Sequence, residues 1–181
     1  MSQFFSRLGV AAIKACAGLS MPARTRLAAA LAWVFWRAVP KRRRVTLTNL
    51  RLCFPELGEG ERLALAKSTY RNLARAALDH GVLWCGTPEQ IDAMAPVEGI
   101  ENILGSERTI IIAPHFIGLD AAAISLSRYA SACSIYQRQS DSVWNEAALA
   151  GRSRFNKQHL LEKGGDNDLL EIVRSIRRGL P

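Results

Sequence analysis

Residues 109–120 read Thr-Ile-Ile-Ile-Ala-Pro-His-Phe-Ile-Gly-Leu-Asp, and the fold turns on how they are read. Thr109 through Ala113 form a continuous run dominated by β-branched side chains, the pattern of a strand covered on both faces. Pro114 keeps Ala113 extended, so the strand is expected to run straight into a turn. His115 then stands at the carboxyl end of a buried strand, where open α/β sheets place their ligands. A helix is expected to follow, from about residue 119 to 129.

Downstream, residues 133–137 read as the next strand, 142–155 as a helix and 159–161 as a short strand. Residues 166–178 read as a helix capped by Asp166 or Asn167. Arg174, Arg177 and Arg178 suit its negative end, and Gly179 stops it. Upstream, residues 59–84 carry Leu63, Ala66, Tyr70, Leu73 and Ala77 at helical spacing. Arg62, Lys67, Arg71 and Arg75 lie off that stripe. Gly86 ends this helix, and Thr87-Pro88-Glu89-Gln90 is a helix start with a capping box. Residues 97–98 are a short strand candidate. The alternation predicts an α/β protein with a parallel or mixed sheet flanked by helices. The last residues, Leu180 and Pro181, follow a helix stop where another strand is expected, so the sheet reads as incomplete and the sequence as cut.

The formal net charge of +8 is unevenly placed. Residues 1–55 hold ten Lys or Arg and no acidic residue, against fourteen basic and sixteen acidic side chains in the rest. A segment of this kind calls for a polyanionic partner. Residues 8–21 and 27–36 are apolar apart from Lys14, and each falls short of the roughly 20 residues that a membrane span needs. Residues 1–55 are therefore read as a helical, membrane-associated segment. Trp33, Phe35 and Trp36 suit the headgroup boundary, while Arg24, Arg26, Arg37 and residues 41–44 meet an anionic lipid surface. The basic cluster lacks interleaved aromatics and any DNA-binding motif, which argues against nucleic acid. Residues 56–181 form the second domain in this reading. Hydrophobic content of 49% argues against disorder. Cys16, Cys53, Cys85 and Cys133 are too far apart for a zinc ribbon and read as reduced, mostly buried thiols.

His115 and Asp120 are the candidate catalytic pair. Five residues along a helix turn through about 140°, so the two cannot both be mid-helix partners. With His115 in the turn and Asp120 in the first helical turn, the carboxylate can fix the imidazole tautomer and leave the other nitrogen free as a base. Such a base can take a proton from an attacking hydroxyl. Gly118 allows close approach of substrate to the backbone. The pair reads equally as a hydrogen-bonded strand-end His beside an ordinary helix-start Asp. His80 and His159 read as structural or surface residues, and no metal-ligand spacing is present.

The segment 115–120, HFIGLD, resembles the H-x4-[DE] motif of glycerolipid and lipid A acyltransferases. Residues 44–56, RVTLTNLRLCFPE, resemble a stretch of the late, lauroyl- or myristoyl-type lipid A acyltransferases. Residues 151–157, GRSRFNK, resemble their arginine-bearing second block. The resemblance implies an acyltransferase-like fold and a membrane-bound enzyme on the cytoplasmic face of an inner membrane. It implies transfer of a fatty acyl chain from acyl carrier protein to a hydroxyl of a lipid A precursor, with a lysophospholipid or other hydroxylated lipid as the alternative acceptor. His115 maps to the general base and Asp120 to the acidic partner that orients it. Arg152 and Arg154 map to the second block, with a binding role for donor or phosphorylated acceptor. No bound cofactor or metal is implied, because the phosphopantetheine arm arrives on the carrier protein. Members of the family continue into further blocks, so a truncated, inactive membrane-binding fragment is the other expectation.

Overall fold

The computed structural model describes residues 3–104, 109–156, 158–164 and 168–179. Among these the chain runs α1 (Gln3–Ala15), a 3-10 turn (Cys16–Gly18), α2 (Met21–Ala38), α3 (Pro40–Cys53) and α4 (Glu59–Cys85). It continues through α5 (Pro88–Met94), α6 (Glu101–Leu104), α7 (Leu119–Leu126), β1 (Cys133–Tyr136), α8 (Ser142–Arg152), β2 (His159–Glu162) and α9 (Asp168–Arg177). Helices dominate, with one small parallel sheet. Two compact units result: Gly18–Asp79, and Met1–Ala17 with His80–Pro181.

In the unit Gly18–Asp79, Ser20 caps α2 by accepting from the Ala23 amide, and Pro22 occupies the first turn. Arg24, Ala28 and Ala32, spaced four apart, are the buried face of α2. Trp33, Val34 and Phe35 stay exposed. The segment 27–36 is thus apolar all round but buries only its alanine side. Arg24 is 6% exposed and donates its Nε–H to Asp79 at 2.9 Å, and Arg75 donates to the same carboxylate at 2.8 Å. Residues 41–44 lie in α3, which has no buried residue. Among the described residues no helix is long and apolar enough to cross a membrane.

In the other unit, Val82, Leu83, Ile91 and Ile124 form the core, with Trp84, Met94, Ala121 and Phe155 packed against it. The expected capping box is present: Thr87 accepts from the Gln90 amide, and the Gln90 side chain accepts from the Thr87 amide. Asp141 caps α8 through the Val143 and Trp144 amides and accepts the Ser6 hydroxyl, which joins α1 to α8. That hydroxyl, ahead of the two amides, holds the Asp141 carboxyl below its ordinary pKa. Strands β1 and β2 pair in parallel from Cys133↔His159 to Tyr136↔Glu162, with α8 as the crossover.

The strand expected at residues 109–113 does not form. Those residues are irregular, Ile110 is 75% exposed and Ile112 is 90% exposed. Residues 97–98 are irregular as well. β-Branched side chains favour an extended backbone, but a strand exists through its neighbour's hydrogen bonds, and the ladder among the described residues joins β1 to β2 without residues 109–113. The sheet among the described residues therefore has two strands, and His115 leaves an exposed segment rather than a buried strand end. Cys16 alone of the four cysteines is buried, while Cys53 and Cys85 are exposed, which corrects the expectation of mostly buried thiols. The expected caps Asp166 and Asn167, together with Lys157, Leu180 and Pro181, lie outside the described residues. Gly179, at φ +72°, follows α9 as expected.

Gly81 marks a close approach of α1 to α4. A Cβ there would stand 2.3 Å from the Ile13 carbonyl oxygen and 2.8 Å from the Ala17 nitrogen, both backbone atoms that cannot swing aside. Gly60, in the first turn of α4, has nothing within 4 Å of the same position. Gly81→Ala is expected to lower stability by about 1–3 kcal/mol, the usual cost of overpacking. Gly60→Ala is expected to leave it unchanged or slightly raised. Thermal unfolding of the two variants beside the parent checks the pair.

Candidate active site

The turn that carries His115 is built from local backbone bonds. The Phe116 amide donates to the Pro114 carbonyl at 2.8 Å, Leu119 to Phe116 at 3.1 Å and Ala122 to Gly118 at 3.0 Å. The last of these begins α7, with Gly118 at the N-cap position and no side-chain cap. His115, Phe116, Ile117 and Gly118 are all exposed, and Gly118 faces open space where a side chain would stand. Asp120 falls in the first turn of α7, as expected, where the helix N-terminus favours its charge.

The partners of Asp120 are not the expected one. Its Oδ1 accepts both the Nε–H of Arg152 at 3.0 Å and an Nη2–H at 2.7 Å. Its Oδ2 lies 3.2 Å from His80 Nε2. An ionised carboxylate only accepts, so His80 Nε2 carries the proton in this contact. The hydrogen bond from His80 is the largest cause of a low carboxyl pKa. The charge and hydrogen bonds of Arg152 add to it, and together they outweigh burial, so the value falls from 3.8 to about 2. These donors favour the ionised form of Asp120.

Three helices supply this cluster: α4 gives His80, α7 gives Asp120 and α8 ends in Arg152. Arg154 lies just beyond, where its guanidinium donates to the carbonyls of Leu83 at 2.9 Å and Gly86 at 2.7 Å. It thereby covers carbonyls that the end of α4 leaves open. Of the five residues singled out from sequence, Asp120 and Arg152 are brought into direct contact. Gly118 and His115 share the adjoining turn, and Arg154 is directed to the backbone of α4. His80 is the member that sequence reasoning missed. It sits forty residues from Asp120 inside a long amphipathic helix, and no spacing rule links the two.

Because the Asp120 pKa is depressed, its contribution to stability is complete above the ordinary value of 3.8 and is lost as pH falls through about 2. The shift corresponds to a contribution on the order of 2 kcal/mol. Asp120→Asn is expected to be less stable by about that amount at neutral pH. It is also expected to lack the parent's additional loss between about pH 4 and pH 2. Denaturant unfolding measured across that pH range checks both statements.

A family model described as bacterial lipid A biosynthesis acyltransferase matches residues 1–180. The chain is similar to a lipid A biosynthesis acyltransferase of Haemophilus influenzae, with 24% identity over 174 residues that cover 94% of this chain and 55% of the relative. It is similar to the lipid A biosynthesis lauroyltransferase of Escherichia coli (strain K12), with 23% identity covering 95% of this chain and 56% of the relative. It is similar also to the lipid A biosynthesis myristoyltransferase of the same organism, with 27% identity covering 95% of this chain and 54% of the relative. The chain spans about half the length of these curated relatives. No solved structure matches it. With its match running over nearly every residue, the chain belongs to the bacterial lipid A biosynthesis acyltransferase family.

Proposed function

We propose that this chain takes part in transferring a fatty acyl group from acyl carrier protein to a hydroxyl of a lipid A precursor, at the cytoplasmic face of an inner membrane. The observation that carries the reading is the family match across residues 1–180. His115 is the general base in this proposal. A ring nitrogen takes the proton of the acceptor hydroxyl while its oxygen attacks the thioester carbonyl. The tetrahedral intermediate then collapses, the carbon–sulfur bond breaks, and the departing thiolate takes its proton from the imidazolium. The ester and the free carrier-protein thiol are the products, and His115 returns to its neutral form.

Asp120, already ionised, is the acidic partner that orients His115 and stabilises the imidazolium. Gly118 leaves open space beside the turn, which suits a bulky lipid acceptor. Arg152 presents positive charge to an anionic donor or acceptor from beside Asp120, and Arg154 supports the same edge by holding the end of α4. The donor's phosphopantetheine arm belongs to the carrier protein, so no cofactor of the chain enters the step.

Membrane attachment is part of the proposal. Residues 18–79 hold twelve Lys or Arg and four Asp or Glu, a surplus of eight equal to that of the whole chain. Exposed Trp33, Val34 and Phe35 stand among these cations, and Arg37 lies 4.3 Å from the centre of the Trp33 ring. Within the same unit a recess of about 230 Å³ is lined by Ala29, Ala32, Trp33, Trp36 and Tyr70, with Lys67 and Arg71 beside them. Aromatic and cationic side chains together favour an interfacial anchor over a span.

Mass spectrometry of lipid A from a host lacking its own late acyltransferase tests the chemistry. The host expresses this sequence, alone or extended to the length of the relatives, with His115 or with His115→Ala. The His115 form is expected to restore one secondary acyl group and the Ala form to lower that product by about 10²-fold or more. Equal restoration by both forms, or by neither while both are present in the membrane, sinks the reading. Separately, replacing residues 41–44 by Gln is expected to weaken binding to vesicles containing anionic lipid by about 1 kcal/mol per charge. Binding to neutral vesicles should hardly change, as vesicle sedimentation at several salt concentrations will show.

A further inference from the structure

His80 enters this site from a distance, and its surroundings show why it is held so firmly. Its ring meets Trp84, one helical turn along α4, edge to face at 5.3 Å and 71°. Trp84 is held in turn by α8. Trp144 lies 6.4 Å away, and a Cβ at Gly151 would fall 2.1 Å from the Trp84 ring. Only glycine fits there, and the next residue is Arg152. The same close approach of α8 to Trp84 therefore fixes the imidazole of His80 and delivers the guanidinium of Arg152 to Asp120.

A carboxylate offers about four lone-pair positions. Arg152 takes two, both on Oδ1, and His80 takes one on Oδ2. Among the described residues one position on Oδ2 is left. It suits a single N–H donor, which is what the imidazole of His115 has to give. His115 is five residues away along an exposed turn, outside this cluster in the structure. With His80 removed, Oδ2 loses its fixed donor and the carboxylate can rotate about its last bond towards Arg152.

We infer that His80 is a positioning residue for acyl transfer, fixing the Asp120 carboxylate so that one acceptor position on Oδ2 stays available to His115. The inference rests on the reading of His115 as the base. His80 touches neither substrate nor reacting atoms; it acts through Asp120. Gln at this position can still donate an N–H to Oδ2, whereas Phe fills much the same volume and donates nothing.

The test uses the chain extended to the length of its relatives, in membrane fractions, with lauroyl-, myristoyl- and palmitoleoyl-carrier protein as donors and a lipid A precursor as acceptor. His80→Phe is expected to lower kcat on the order of 10-fold or more, as loss of alignment does, while KM for the donor stays within about twofold. His80→Gln is expected to recover most of the loss. In an Asp120→Asn background His80→Phe should cost little more, because both changes break one unit. A kcat for His80→Phe within twofold of the parent overturns the inference, as does an equal loss in Phe and Gln variants. If His80→Phe does not accumulate, His80→Leu replaces it, and failure of both to accumulate assigns His80 to folding and overturns the positioning role. His115→Ala, run alongside, separates the two readings. If it retains activity, the general-base reading itself has failed. If it is inactive while His80→Phe is unimpaired, only the role of His80 is lost.

Discussion

A carboxylate that loses part of its water to burial needs hydrogen-bond donors in its place, and the Asp120 region is arranged around that constraint. Each donor comes from a different helix, so satisfying the charge also sets where α4, α7 and α8 stand. The apolar core beside it, Val82, Leu83 and Ile124, is nonspecific in direction. Hydrogen bonds to one carboxylate are directional, and they give the packed helices their register. Gly151 completes the arrangement, since a side chain there would push α8 off Trp84 and draw Arg152 away with it.

The unit Gly18–Asp79 repeats this device with different residues. Asp79 is shared by the buried Arg24 of α2 and by Arg75 one turn earlier in α4. Arg24 also donates to the Leu19 carbonyl at 2.6 Å, so its burial leaves few donors open. In each unit one carboxylate fastens separate helices. The difference lies in what surrounds it: a large surplus of cations in residues 18–79, and an even balance of charge in the remainder. Chemistry and attachment are thus assigned to different parts of the chain in the function proposed for it.

Much of the local structure was legible because local causes produce it. The stripe through residues 59–84, the Thr87 capping box, the strands at 133 and 159 and the end of α9 at Gly179 all follow from neighbours in sequence. Residues 109–113 misled because propensity describes what a segment would do beside a partner strand, and among the described residues no strand pairs with it. The change in composition near residue 55 and the unit limits near residues 18 and 80 likewise measure different things, charge in one case and packing in the other. At the site, motif and helix-start reasoning led to Asp120 and its ionised state. They could not lead to His80, because contacts across forty residues are made by tertiary packing and leave no periodic trace.

The separation of the three cluster members along the chain also orders its assembly in time. His80 leaves the ribosome first, Asp120 forty residues later and Arg152 after thirty-two more. At synthesis rates of about 5–20 residues per second, the carboxylate waits on the order of seconds for its guanidinium. Throughout that interval α7 has nothing from α8 to lock its first turn, although Ile124 and Ala121 already have the apolar partners Val82, Leu83 and Ile91. The site therefore matures from its C-terminal side, when α8 emerges and its glycine closes onto Trp84.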